Sequence, residues 1–256
     1  MKRPFENIWK SYDELAWTDS ILCPPEAASE EAELFCRLLN EHARQPVETV
    51  LHLACGAGIF DFTFKRHFQI TGADISEQML KEARRLNPEI HYHQGDMRYL
   101  NLHAEFDAVC IPDAIGYMSS IKDLRKAIST AMDHLKSDGT LLIAAQVRER
   151  FQENNFVYSG SRGNVEITLF ENNYIPKHEK DIYEAVMMYL IREHGALEIV
   201  TDQHILGLFS RDLWYHLFDE FQLDVTEEHL DHLYDQYVLE GGTYSTTVFL
   251  CRRKQE

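Results

Sequence analysis

The sequence lacks most of the features that mark exported, membrane-bound or nucleic-acid-binding chains. No stretch of its 256 residues approaches the roughly 20 apolar residues of a membrane-spanning helix. Its first twenty residues mix charges with Trp and Tyr and hold no apolar signal core. Neither membrane insertion nor secretion is expected. Cysteines are few and scattered: Cys23, Cys36, Cys55, Cys110 and Cys251 are odd in number, with no C-x-x-C pair and no Cys/His spacing of the zinc-site kind. No disulfide framework and no metal site follow from them; they suit reduced thiols in a cytoplasmic protein. Positive charge is also scarce, with 25 Lys and Arg against 42 Asp and Glu, a formal net charge of −17. A phosphate backbone would be repelled, which excludes nucleic acid as the expected partner. Repeats, low-complexity tracts and Pro/Gly/Ser linkers are missing as well, which argues for one compact body.

What is present is a rhythm of short apolar runs and helical segments. After Pro24-Pro25, residues 26–44 place Ala32, Phe35, Cys36, Leu38 and Leu39 at helical spacing, and Pro46 ends the helix. Apolar runs at 49–54, 69–74, 90–93, 106–111 and 140–146 then alternate with crossover-length segments at 59–68, 76–86 and 119–135. Such runs fit parallel strands buried on both faces, and their alternation predicts a doubly wound, mostly parallel α/β sheet with right-handed crossovers. Past Gln146 the rhythm breaks: residues 163–174 and 181–206 are dense in β-branched and aromatic side chains without helices between them, the pattern of an antiparallel insertion after the fifth strand. A helix at 210–221, capped by Ser210, and two strands at 222–228 and 243–251 complete a seven-stranded sheet. The expected organisation is an N-terminal helical lid at 1–45, a core at 46–150 and 207–256, and a substrate-covering insertion at 151–206.

Three features lie at the ends of successive strands, where doubly wound sheets bind ligands. The junction Ala54-Cys55-Gly56-Ala57-Gly58 is a small-residue turn that lets a ligand touch backbone, although a Gly pair marks ordinary turns as readily. Asp74 ends the second strand and can accept both hydroxyls of a ribose. A dinucleotide fingerprint wants a third small residue where this chain has Asp61, so pyrophosphate is disfavoured. In Gln94-Gly95-Asp96-Met97-Arg98, a carboxylate can take an adenine amino group while Met97 packs on the ring.

The series Leu-His-Leu-Ala-Cys-Gly-Ala-Gly, Gly-Ala-Asp-Ile-Ser-Glu-Gln-Met-Leu, His-Gln-Gly-Asp-Met-Arg and Phe-Asp-Ala-Val resembles the successive motifs of class I S-adenosylmethionine-dependent methyltransferases, over about residues 47–146. Residues 93–98, Gly116-Tyr117 and 204–209 are similar to the small-molecule N-methyltransferases that dimethylate amino groups of nucleotide-linked deoxysugars. The resemblance implies S-adenosylmethionine as cofactor and S-adenosylhomocysteine as product. It places Ala54, Cys55, Gly56, Ala57 and Gly58 around the methionine part, Asp74 and Ile75 on the ribose, and Asp96 and Met97 on the adenine. Met79 belongs to the same cofactor set, and Ile111-Pro112 forms the floor near the sulfonium. Two positions depart from the pattern: His52 stands where the family usually has an acid, which could alter cofactor affinity, and Ala54 where it often has glycine.

Methyl transfer from a sulfonium is an in-line displacement with a good leaving group, so alignment and exclusion of water matter most. The strand-four exit, residues 111–117, lacks the Asn-Pro-Pro-aromatic signature of base-amino methyltransferases. A small-molecule acceptor is expected, an amine nitrogen first, for a monomer or homodimer. Tyr12 and Trp17 resemble a segment that folds over the cofactor, or they pack a terminal helix onto the core. Tyr117 contacts the acceptor or packs at its rim. His204 takes a proton from an ammonium or is one of thirteen histidines with a structural place. Asp113 orients a cationic or hydroxylated acceptor or is merely solvated, and the aromatics of the insertion line a pocket or pack a small sheet. Two other readings stand beside the enzyme: a non-catalytic protein that binds the same cofactor, and a nicotinamide-dependent oxidoreductase.

Overall fold

The computed structural model describes residues 9–255; the first eight residues of the expected lid lie outside the described residues. The chain starts with two 3₁₀ turns, Lys10–Tyr12 and Ala16–Thr18, followed by α1 (Asp19–Leu22) and α2 (Ser29–His42). Then come β1 (Thr49–Leu53), α3 (Asp61–Phe64), β2 (Gln69–Asp74), α4 (Glu77–Leu86), β3 (His91–Gln94), β4 (Phe106–Ile111), α5 (Ile121–Asp133) and β5 (Leu135–Ala145). Four strands follow, β6 (Asn155–Arg162), β7 (Val165–Tyr174), β8 (Ile182–Glu193) and β9 (Ala196–Gly207). Finally α6 (Arg211–Glu220), β10 (Leu223–Asp231) and β11 (Ser245–Arg253) return to the core.

The main sheet has seven strands in the order β10-β11-β5-β4-β1-β2-β3. Strands β1 to β5 are parallel neighbours, and β11 runs antiparallel to β5 and β10. The order reverses between β1 and β4, so their carboxyl ends open a crevice at the switch point. Alternation along each central strand builds two cores. Leu51, Leu53, Val109, Ile111, Leu141 and Ile143 pack under α5 and α6, while Val50, Ala108, Cys110, Leu142 and Ala144 pack under α2. The largest buried side chain, Trp214 of α6, sits 5.3 Å from Phe249 of β11, which pins the antiparallel edge to the core.

The second sheet, β6-β7-β8-β9, is antiparallel throughout. Its hairpins turn on Gly163 (φ 63°) and on His194-Gly195 (φ 49° and 84°), the paired positive angles of a two-residue turn. The inward face of β7 carries Ile167 and Leu169, which pack with Leu15 and Ile21 of the N-terminal segment. The amino-terminal turns therefore bridge the two sheets.

Three expected elements differ. The crossover segment 59–68 contributes only four residues of α-helix, continued by tight turns to Phe68; Phe60, Phe62, Thr63 and Phe64 are weak helix formers. Strand β5 starts at Leu135, earlier than its apolar run, across a register shift beside Phe106. Strand β6, Asn-Phe-Val-Tyr-Ser-Gly-Ser-Arg, is too polar for its run to stand out in the sequence. All five cysteines are free thiols. Among the described residues, no helix is long and apolar enough to cross a membrane.

Candidate active site

A cavity of about 1240 Å³ lies at the switch point, roofed by the N-terminal turns and the second sheet. That exceeds the roughly 300–1,000 Å³ of a single-ligand pocket, so two molecules can share it.

Its floor is the turn after β1. Ala54, Gly56 and Gly58 all have positive φ (55°, 54° and 71°), which coils the backbone into a tight cradle. Ala54, Cys55, Gly56 and Ala57 line the cavity; Gly58 lies behind it, where a Cβ would stand 2.7 Å from the Tyr92 hydroxyl. Asp74, 8% exposed, accepts the Gly56 N–H at 2.9 Å on one oxygen and the Ser76 N–H at 2.8 Å on the other. Burial raises its pKa, and these N–H groups oppose the rise. Each oxygen keeps a further lone pair, enough for two hydroxyl donors. Ile75, Met79 and Met97 supply apolar walls. Asp96 is half-buried and held by Arg98 through both oxygens, with Nη2 at 2.6 Å. Pro112 reaches the cavity, whereas Ile111 is wholly core.

His52, the departure at β1, is paired. Its Nδ1 lies 2.7 Å from Asp61 Oδ1, and Asp61 Oδ2 accepts the Tyr92 hydroxyl at 2.9 Å. Asn87 Nδ2 donates to Tyr92 and to the Gly58 carbonyl, which closes the network onto the cradle. An acid thus stands beside this turn after all, supplied from α3 and fully buried. Asp61, bulky in sequence, is what β1, β3 and the cradle are fastened to.

Beside the cradle, where Tyr12 packs against Ala57 and Met79, five residues form one hydrogen-bonded chain. The Tyr12 and Tyr117 hydroxyls are 2.6 Å apart, Tyr117 Oη lies 2.8 Å from His204 Nδ1, and His204 Nε2 lies 2.9 Å from Asp202 Oδ2. Ser11 donates to that same oxygen through its N–H at 2.8 Å and its hydroxyl at 2.9 Å. Burial would raise Asp202, but the Ser11 and His204 bonds outweigh it and hold the carboxyl below its usual range. Burial lowers His204, with Asp202 pulling the other way. An ionised Asp202 only accepts, so Nε2 carries the proton and Nδ1 accepts from Tyr117. Tyr117 in turn accepts from Tyr12, and the Tyr12 oxygen is left with lone-pair capacity for a donor. Burial raises both tyrosines well above their ordinary range, so they stay protonated. The Tyr12 carbonyl is fixed by the Ser76 hydroxyl, which also caps α4 through Met79 N–H.

Tyr12 and Tyr117 therefore meet at the cavity, and His204, with no exposed surface, reaches it through Tyr117. Trp17 does not line it; it packs beside Leu15 and Ile21 against the second sheet. The lid aromatic that does is Trp9, its ring 4.5 Å from Tyr117 and 5.1 Å from His204. Sequence reasoning missed Trp9, Ser11 and Asp202. The spacing Asp202-x-His204, two residues on one face of a strand, was the available signal for the last.

Comparison with known proteins agrees with this architecture. Residues 50–139 match the family described as "Methyltransferase domain". A glycine/sarcosine N-methyltransferase of Parasynechococcus marenigrum (strain WH8102) is 32% identical over 146 residues, 54% of this chain and 51% of that protein. The chain thus spans about half the length of that relative. A dTDP-4-amino-2,3,4,6-tetradeoxy-D-glucose N,N-dimethyltransferase of Saccharopolyspora spinosa is 31% identical over 172 residues, 64% of this chain and 67% of that protein. The crystal structure of DesVI from Streptomyces venezuelae superposes with a TM-score of 0.74 at 22% identity, over 90% of this chain and 93% of that one, a likeness of fold. With that identity over two thirds of a curated methyltransferase, the chain belongs to the class I S-adenosylmethionine-dependent methyltransferase family.

Proposed function

We propose that the protein methylates an amine nitrogen of a small-molecule acceptor, with S-adenosylmethionine as methyl donor. The observation that carries this reading is the chain Tyr12–Tyr117–His204–Asp202 opening on the same cavity as the cradle. The residues present fit the cofactor: a buried carboxylate with spare lone pairs at the ribose position, a cradle of small residues and apolar walls of Met79 and Met97. Asp74 and Ile75 would hold the ribose, residues 54–57 the methionine part, and Asp96 and Met97 the adenine.

When bound, S-adenosylmethionine supplies a methyl carbon whose bond to sulfur breaks, with its electron pair, as a nitrogen lone pair attacks. The protein supplies position and a route for the proton. An amine reacts only when neutral, and the free lone pair of Tyr12 is placed to accept an N–H. Transfer of that proton to Tyr12 displaces the Tyr12 proton to Tyr117 and the Tyr117 proton to His204 Nδ1, where Asp202 stabilises the imidazolium. Trp9 and the segment 151–206, proposed to cover the substrate, keep water from the site. The five free thiols suit a reducing cytoplasm.

Calorimetric titration with S-adenosylmethionine and separately with NAD tests the cofactor, and transfer of labelled methyl to a panel of amines tests the reaction. Binding of S-adenosylmethionine alone, with label on nitrogen, is expected. Binding of NAD alone would point to an oxidoreductase, and binding without transfer to a non-catalytic protein.

A further inference from the structure

Resting on that reading, we infer that the acceptor is a polycationic amine: one nitrogen reacts at Tyr12, and a second, protonated nitrogen is held among Glu31, Asp113 and Glu171 on the wall of the same cavity. Two independent observations meet here. The first is the Tyr12 oxygen, which has acceptor capacity left for one N–H and so fixes the reacting nitrogen. The second is the charge of the cavity wall.

Glu31 of α2, Asp113 after β4 and Glu171 of β7 converge on the cavity from three separate elements. Glu171 shares the inward face of β7 with Ile167 and Leu169, an unusual place for a carboxylate unless something offsets its charge. Tyr158, Tyr234 and Tyr237 complete the wall: Tyr158 and Tyr237 stand 4.9 Å apart, and Tyr234 donates to Glu31 at 2.5 Å. Carboxylates among aromatic faces form a receptor for ammonium. Asp113 is exposed to the cavity, and desolvation by the surrounding walls raises it to about 8, with Glu31, Glu171 and Asp19 adding to the rise, while burial raises Glu31 to about 7 against the Tyr234 bond. A cation placed among them would favour their ionised form and draw off the protons that burial retains.

The reacting nitrogen cannot be that cation, because it must be neutral to attack. Nor does a nucleotide diphosphate suit the wall. Among the described lining residues, nine carboxylates face two cations, Lys10 and Arg98, and Arg98 is already fixed on Asp96. A diphosphate here would meet like charge.

Calorimetry on the full chain saturated with S-adenosylhomocysteine tests this, with spermidine, pentylamine and thymidine diphosphate as probes. Spermidine should bind about tenfold or more tighter than pentylamine, the difference expected of one charge-assisted contact. Asp113→Asn and Glu171→Gln, both at cavity-facing positions that keep their shape, should each erase most of that preference while leaving S-adenosylhomocysteine affinity unchanged. Binding of thymidine diphosphate in place of spermidine, or a spermidine preference that survives both substitutions, overturns the inference and leaves the proposed function standing. Failure of S-adenosylhomocysteine to bind the unsubstituted protein removes both.

Discussion

Replacing Tyr117 with phenylalanine removes one oxygen and cuts the hydrogen-bonded chain at its centre. The ring can keep its packing against Trp9, 4.5 Å away, so shape changes little. The Tyr12 hydroxyl and His204 Nδ1, bonded to that oxygen at 2.6 and 2.8 Å, both lose their partner. Tyr12 opens on the cavity, but His204 has no exposed surface, and one unsatisfied buried polar group costs about 1–3 kcal/mol. At roughly 2–4 °C per kcal/mol for a chain of this size, Tm should fall by about 2–12 °C. Loss of the proton route should lower kcat about 10²–10⁴-fold, the usual worth of a general base. The pH dependence discriminates further. Burial holds His204 below its ordinary 6.5, so in the unsubstituted protein Nδ1 accepts protons above that lowered value and activity is lost as pH falls through it. In Tyr117→Phe that acid limb should vanish, and the residual rate should climb with pH as the amine itself loses its proton. Initial rates of methyl transfer from about pH 5.5 to 9 would show it. A variant with unchanged kcat and pH profile refutes the relay; a lowered Tm with unchanged kinetics assigns Tyr117 to structure alone.

Asp74→Ala should weaken S-adenosylmethionine binding about 10–150-fold by calorimetry, because a charged acceptor worth about 1.5–3 kcal/mol is removed. Asp96→Ala, whose carboxylate is already held by Arg98, should cost less. Asp61→Ala leaves His52 and the Tyr92 hydroxyl without their shared partner in the core and should lower unfolding free energy by about 3–5 kcal/mol in urea. An unshifted urea midpoint would mean that the network carries no stability. Ala54→Gly relieves a left-handed alanine (φ 55°), worth about 1–2 kcal/mol, against about 0.4–1 kcal/mol of added unfolded-state entropy. Thermal melts should therefore show a small gain in stability, and a loss would show that the Ala54 methyl packs favourably.

The sequence by itself determined the layered sheet and the strand-end residues that line one part of the cavity. Apolar runs of strand length, alternating with helices, leave little choice but a parallel sheet with a crevice at its switch point. The Ala54–Gly58 turn and Asp74 are local signals, each written in a few consecutive residues at a strand end. The last two strands, read as a returning pair, do pair antiparallel, while the order of the seven strands came from the structure. The acceptor end was decided by tertiary structure. Tyr12, Tyr117 and His204 are separated by some hundred residues of chain at each step, and nothing in the spacing showed that they share protons. His52 and Asp61 read singly as a departure and an obstacle, yet folding sets them 2.7 Å apart. The sequence offered Trp17 as the lid aromatic, but packing turns it toward the second sheet and sets Trp9, which the sequence did not single out, onto Tyr117. Asp113 read as a loop carboxylate that orients an acceptor or is merely solvated, and Glu31 and Glu171 are two more acids in a chain of 42 acidic residues. Only the close approach of α2, β4 and β7 gives them a common field, because electrostatic energy depends on distance and burial, which sequence spacing does not contain.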